Sequence, residues 1–299
     1  MKRVLVTGAS GFLGRHALER LRNAGRFEIH AACRRPPARE PAAREPAAVR
    51  WHAVDLRDPA AAASLVAEVR PSHLLHAAWI ATPGVYLHAP ENMDWLVATL
   101  ALARAFGESG GERWVGVGSC AEYAPGEAPC REDETPIQPA SLYGKCKAGC
   151  WQAVQAAAQH HGFSAAWGRV FLPYGPGDAP QRLIPSIIAA LRQGQPLETS
   201  HGRQVRDFVF APDAAALLVG LLDSAEAGAF NIGSGQGVMV RTAIETLADH
   251  FGARELLRFG ARPLAPGEPL HLTADMTRTR RAVPGVEPLA LPEGLARML

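Results

Sequence analysis

No stretch of the chain approaches the roughly 18 consecutive apolar residues of a membrane span, although 47% of its 299 residues are hydrophobic. That apolar content is expected to form a sizeable core instead, in one large domain or in a domain with a smaller companion. Lysine and arginine exceed aspartate and glutamate by only 31 to 29, so no overall field draws the protein to nucleic acid or to an anionic membrane surface. Any cationic site must be local. The five cysteines, Cys33, Cys120, Cys130, Cys146 and Cys150, are odd in number and lack metal-ligand pairing, which favours free thiols in a reducing compartment. Cys146 and Cys150 share helical spacing and are read as core packing. The histidines, including His160, His161 and His201, show no ligand spacing, so no metal is expected. The N-terminal Met1-Lys2-Arg3 precedes an apolar run too short for a signal peptide, and the expected location is the cytoplasm.

What is present is alternation. Short apolar runs (Arg3–Thr7, Phe27–Cys33, His73–Ala77, Trp114–Gly118) are interleaved with helical patterns (Leu13–Asn23, Ala60–Val69, Trp95–Gly107). This is the βαβ signature of an α/β fold with a parallel sheet covered on both faces. The near-tandem Ala-Arg-Glu-Pro-Ala-Ala repeat between Pro36 and Val49 argues for a mobile loop. Beyond about Val170, proline- and glycine-punctuated pieces suit a smaller, less regular lobe, and the crevice between two lobes is a natural ligand site.

The run Val4-Leu5-Val6-Thr7-Gly8-Ala9-Ser10-Gly11-Phe12-Leu13-Gly14 sets three glycines at three-residue spacing between a strand and a helix. Gly8 permits a tight turn, Gly11 lets backbone N–H groups reach a pyrophosphate, Gly14 allows close helix–strand packing, and Phe12 and Leu13 open the helix beside the cofactor. A glycine triplet alone marks only a turn; its place in the first βαβ unit makes it a dinucleotide site. The second strand ends near Cys33, where an acid usually accepts from the ribose of NAD. Here Arg34 and Arg35 follow. Guanidinium groups suit a 2′-phosphate, which favours NADP(H), unless these arginines merely begin the solvated loop. Asp55-Leu56 is expected at the adenine edge, and Ala77 and Ala78 where the backbone passes close to the cofactor.

Tyr143 and Lys147 lie four residues apart, on one face of one helix. A tyrosine near its ordinary pKa of about 10 is a poor base; a lysine ammonium within reach, together with an oxidised nicotinamide, lowers it. Ser119, at the end of the Trp114–Gly118 strand, is placed to hydrogen-bond a substrate oxygen.

These residues resemble the extended short-chain dehydrogenase/reductase family, which includes UDP-galactose 4-epimerase, sugar-nucleotide dehydratases and 4-ketosugar reductases. The resemblance runs over nearly the whole chain: Thr7-Gly8 with Gly11 and Gly14, Ser119 with Tyr123, Tyr143 with Lys147, Arg169 through Tyr174-Gly175-Pro176-Gly177, Arg206-Asp207-Phe208 with Asp213, and Asn231-Ile232-Gly233-Ser234-Gly235. It implies a Rossmann doubly wound sheet over residues 1–171 and 203–228, and a substrate lobe over 172–202 and 229–299. It further implies a nucleoside-diphosphate sugar in the cleft and a homodimer formed through two helices per subunit.

The family's branches differ just after the serine. Dehydratases carry an acid pair there, whereas this chain has Cys120-Ala121, and Glu122 sits one position late, on the opposite face if the strand continues. Enzymes resembling GDP-fucose synthase place a cysteine two residues after the serine; here that residue is Ala121, and Cys120 is one position early. Leu172 stands where galactose epimerases have an asparagine. What remains is reduction of a 4-keto-6-deoxysugar, with 4-epimerisation second and dehydration third. Ser119, Cys120, Arg182, Arg206 and Arg262 are the candidate substrate residues, Arg206 as a planar donor to the diphosphate unless it pairs with Asp207. Trp79, Tyr86 and Trp95 line the sugar site or pack the core. A reductase of ketones without a nucleotide handle has no need of Arg206. A cofactor-binding redox sensor generally lacks the tyrosine–lysine pair.

Overall fold

The computed structural model describes residues 2–37, 49–265 and 267–299. The first half of the chain runs β1 (Lys2–Thr7), α1 (Phe12–Ala24), β2 (Phe27–Cys33), β3 (Val49–Ala53), α2 (Pro59–Val69), β4 (His73–His76), α3 (Glu91–Glu108), β5 (Arg113–Ser119), α4 (Leu142–His161) and β6 (Ser164–Val170). The second half adds β7 (Leu172–Tyr174), α5 (Leu183–Arg192), β8 (Leu197–Thr199), β9 (Val205–Phe210), α6 (Ala211–Asp223) and β10 (Gly228–Ile232). It ends with β11 (Gly237–Met239), α7 (Val240–Phe251), β12 (Leu257–Phe259), β13 (His271–Leu272), α8 (Thr277–Ala282) and α9 (Leu291–Ala296).

Local signals explain many of the boundaries. Asp58 caps α2, accepting from the amides of Ala60 and Ala61, with Pro59 in the first turn. Ser141 accepts from the Gly144 amide to start α4, and Gly162 in the left-handed region ends it. The seven-stranded sheet has the order β10-β6-β5-β4-β1-β2-β3, parallel throughout. Its central strands are apolar on both faces because helices cover both. Ala17, Leu18 and Leu21 of α1 and Leu217, Leu218 and Leu221 of α6 fill one face; Leu65 of α2, Phe106 of α3 and Val154 of α4 fill the other. The order reverses between β1 and β4, opening a crevice at the carboxyl ends of the strands where ligands bind in such sheets.

A second sheet joins β7, β11 and β13 to the central β9, over a third core built from Ile184 and Ile187 of α5, Phe208 and Phe210 of β9, and Ile244 and Leu247 of α7. The division expected from sequence therefore shifts at two strands. Residues 205–210 pair in the smaller sheet rather than the larger, whereas β10 (228–232) forms the edge of the larger sheet beside β6. The crossover occurs at Phe210, where α6 begins and returns to pack beside α1. Most of the expected loop between Pro36 and Val49 lies outside the described residues, and Val49 already belongs to β3. All five cysteines are buried and free. Among the described residues no helix is long and apolar enough to cross a membrane.

Candidate active site

At the end of β1 the chain turns through Gly8, whose φ of 64° suits glycine, and the Gly11 amide closes the turn on the Gly8 carbonyl at 2.9 Å. A Cβ on Gly8 would lie 2.6 Å from the Ala78 nitrogen, and one on Gly14 would lie 2.1 Å from the Gly8 carbonyl oxygen. Gly8 therefore allows the Ala77–Ala78 backbone to pass, and Gly14 seats α1 under the loop. Gly11 caps α1 without a side-chain partner for the first-turn amides, which leaves those donors, with Phe12 and Leu13 among them, to meet an anion. His76, which sequence reasoning left without a role, ties β1 to α3: its ring nitrogens bond Thr7 at 2.7 Å and Thr99 at 3.0 Å. Burial lowers its pKa to about 3, so it stays neutral.

Arg34 and Arg35 are exposed just past β2, with no acid between Cys33 and Pro36. Asp55 lies close enough to feel the charge of Arg34, but its carboxylate is held by Arg57 at 2.6 and 3.0 Å, which brings it to about 2. Leu56 beside it is buried.

β5 delivers Ser119, and α4 delivers Tyr143 and Lys147. The Ser119 and Tyr143 side chains lie near enough for Ser119 to act on the Tyr143 hydroxyl. Lys147 is buried, donates to the Val117 carbonyl at 2.7 Å and sits 3.9 Å over the centre of the Trp79 ring. Burial lowers its pKa to about 8. Burial pushes the Tyr143 hydroxyl above its ordinary range, although part of the side chain stays accessible, and Ser119 is the partner that opposes the rise. The ammonium lies 5.9 Å from the centre of the Tyr143 ring, turned to Val117 and Trp79.

After Ser119 the chain does not continue as a strand. It turns into a 3₁₀ helix, Cys120–Glu122, so strand alternation does not govern Glu122. The Glu122 side chain is fully buried and accepts from the Ser119 amide at 2.8 Å, Trp167 Nε1 at 2.9 Å and Arg169 Nε at 2.9 Å. Both carboxylate oxygens are thus engaged behind the site. Cys120 is pushed up to about 12 by burial and stays a thiol.

An aromatic wall faces this group. The Tyr86 and Trp79 rings meet Tyr143 edge-on at 4.9 and 6.4 Å, and Trp95 packs behind Trp79 at 6.3 Å. Arg182, preceding α5, reaches across to the Ala81 carbonyl at 3.2 Å and lies 5.2 Å over the centre of the Tyr86 ring. Arg206 is buried on β9 and pairs with Glu268 at 2.7 Å, not with Asp207; its charge is felt at Cys120. Asp207 instead binds the amides of Ser234, Gly235 and Ala274. Arg262 is not brought to this group: it is exposed and faces Glu198 at 3.7 Å, beside the β8–β12 pair. Sequence reasoning thus missed the Arg206–Glu268 pair and the grip of Glu122 on Ser119. Only the second had a local signal, the Ser-x-x-Glu pattern of a capping box at 119–122.

The family model described as NAD dependent epimerase/dehydratase matches residues 4–233. The chain belongs to that family. The solved structure of MoeE5 with UDP-glucuronic acid and NAD is 30% identical, with a TM-score of 0.83 over 99% of this chain and 97% of MoeE5. DesIV, a dTDP-glucose 4,6-dehydratase from Streptomyces venezuelae, is 25% identical, with a TM-score of 0.84 over 99% of this chain and 95% of its own. UDP-glucose 4-epimerase 2 of Oryza sativa subsp. japonica is 28% identical over 90% of this chain and 74% of its own length. Membership makes the chain an oxidoreductase or epimerase of the extended short-chain dehydrogenase type with a Rossmann fold.

Proposed function

We propose that this family member is an NAD(P)-dependent reductase of a nucleoside-diphosphate 4-keto-6-deoxysugar. The engagement of Glu122 by Ser119, Trp167 and Arg169 argues against elimination of water and leaves Ser119, Tyr143 and Lys147 for chemistry at C4; the observation that carries reduction over epimerisation is exposed Arg34 at the end of β2, where no acid stands. A nicotinamide held at the glycine loop would supply the hydride. Tyr143, held protonated by burial, donates the proton to the C4 oxygen, and the Ser119 hydroxyl hydrogen-bonds the developing alkoxide. Lys147 orients the cofactor ribose. Glycines 8, 11 and 14 with Phe12, Leu13, Ala77 and Ala78 seat the dinucleotide, Asp55 and Leu56 border the adenine, and exposed Arg34 with Arg35 favours the 2′-phosphate of NADP(H). Arg206 meets the sugar diphosphate, with Cys120 and Arg182 at the sugar. A homodimer fits α3, where Met93, Val97 and Leu100 are exposed on one face.

The test is oxidation of NADPH, followed at 340 nm, on addition of nucleoside-diphosphate 4-keto-6-deoxysugars. A second reading, NAD-dependent 4-epimerisation, is favoured by relatives named UDP-glucose 4-epimerase and needs the same three residues. It takes over if those ketosugars leave NADPH unoxidised while NAD stays bound through purification and UDP-hexoses interconvert.

A further inference from the structure

Glu122 is a charged group in a position where charge is costly. It is completely buried, as is nearly all of Arg169, its ion-pair partner at 2.9 Å. A buried ion pair is commonly no more stabilising than well-packed apolar side chains of the same volume, so stability does not account for this one. Its geometry has a direction. One oxygen takes both the Ser119 amide and Trp167 Nε1; the other takes Arg169, whose Nη1 donates to the Tyr123 hydroxyl at 3.1 Å. Tyr123 donates in turn to Asn231 at 2.7 Å, and Asn231 holds the carbonyls of Cys130 and Asp275. Space for the carboxylate is made by Gly118, where a Cβ would lie 2.6 Å from Glu122 Oε1 and 2.2 Å from Trp167 Nε1. Ser119 Oγ completes the capping box by accepting from the Ala121 amide at 3.2 Å.

We infer that Glu122 is a positioning residue for catalysis: clamped by Trp167 and Arg169, it holds the backbone of Ser119 at the end of β5 so that the serine hydroxyl stays beside Tyr143. The network ties that point to β6, to β10 and to residues 130 and 275, so the hydroxyl cannot shift without breaking several buried hydrogen bonds. The same carboxylate acts on the site through its charge, since its field raises the pKa of both Tyr143 and Lys147. The other groups acting on Tyr143 are Ser119, Tyr86 and Cys120, and Cys150 also acts on Lys147. This inference rests on the reading of Ser119 as the hydrogen-bond donor to the substrate oxygen.

Two variants test it: Glu122→Gln, which keeps the shape but removes the charge, and the double variant Glu122→Leu with Arg169→Met, which removes the clamp without stranding a buried arginine. Wild type and Ser119→Ala are measured beside them, with ketosugar and NADPH and with UDP-hexose interconversion. Both Glu122 variants should lower kcat about 10- to 100-fold, the scale of a misplaced catalytic group, with KM for the sugar nearly unchanged. In Glu122→Gln the limb of the pH profile on which reduction falls with rising pH should move to lower pH, because a negative charge beside Tyr143 is lost; a purely structural role leaves that limb in place. The double variant also gives a readout that needs no turnover: beside a wild-type crystal structure, its own should show Ser119 displaced relative to Tyr143. A folded double variant with wild-type kcat, or with Ser119 in its wild-type position, overturns the inference. Wild type inert toward every sugar instead defeats the proposed reaction and leaves the crystallographic readout to decide the role of Glu122.

Discussion

Replacing Lys147 with methionine should make the protein inactive and more stable. The ammonium is buried, and its pKa falls from the ordinary 10.5 to about 8, so holding it charged in the fold costs about 3 kcal/mol at neutral pH. Methionine keeps much of the stem without the charge. Allowing about 1 kcal/mol for the lost hydrogen bond to the Val117 carbonyl, Lys147→Met should gain about 2 kcal/mol at pH 7, or about 4 °C in Tm for a chain of this size. The gain has a definite pH dependence. Between about pH 8 and 10.5 the unfolded wild-type chain binds a proton that the folded chain does not, so wild-type stability rises with pH across that window. The advantage of the variant should therefore be fully present below pH 8 and fade toward pH 10.5. Thermal unfolding followed by circular dichroism at pH 7 and pH 10 measures both points. A variant no more stable than wild type at pH 7, or a gain unchanged at pH 10, refutes the reasoning.

Tyr143→Phe removes the proton donor and should lower kcat by about 10²- to 10⁴-fold, with the sugar KM little altered in steady-state assays. Gly8→Ala combines an unfavourable positive φ with a Cβ 2.6 Å from the Ala78 nitrogen; NADPH binding, followed by fluorescence titration, should be lost, with a destabilisation of about 2 kcal/mol or more in thermal melts. Arg34→Asp should raise the KM for NADPH by about tenfold or more while lowering that for NADH, because a carboxylate repels the 2′-phosphate and accepts from the free ribose. Arg206→Ala should raise the KM for the nucleotide sugar sharply with a smaller effect on kcat, as loss of a diphosphate contact does.

The parts of this structure that were legible in the sequence are those in which chemistry and fold are set within a few residues. Gly8 and Gly14 announce a turn and a packing contact together, and the Phe27–Cys33 run coincides with β2 because both faces of that strand are buried. Tyr143 and Lys147 share a helix as their spacing requires. What was not legible depends on long-range partners. Residues 205–210 read as part of the larger domain, but a strand's sheet is decided by its neighbours, and β7, β11 and β13 lie far off in sequence. Arg206 meets Glu268, 62 residues on, and Arg182 meets Ala81, 101 residues back; nothing local marks either pair. Helical spacing placed Lys147 near Tyr143 but carried no information on burial, which decides the direction of both pKa shifts. Glu122 was misjudged for a local reason, because strand alternation was carried past Ser119, the end of β5, through a capping box at 119–122.

The most direct test of hydride transfer to C4 uses NADPH deuterated at the transferable position of the nicotinamide. After turnover with a nucleoside-diphosphate 4-keto-6-deoxysugar, mass spectrometry and proton NMR of the product should show one deuterium, located at C4 of the sugar. Oxidation of NADPH without deuterium at C4, or sugar conversion that leaves all the deuterium on the cofactor, contradicts the proposed reaction.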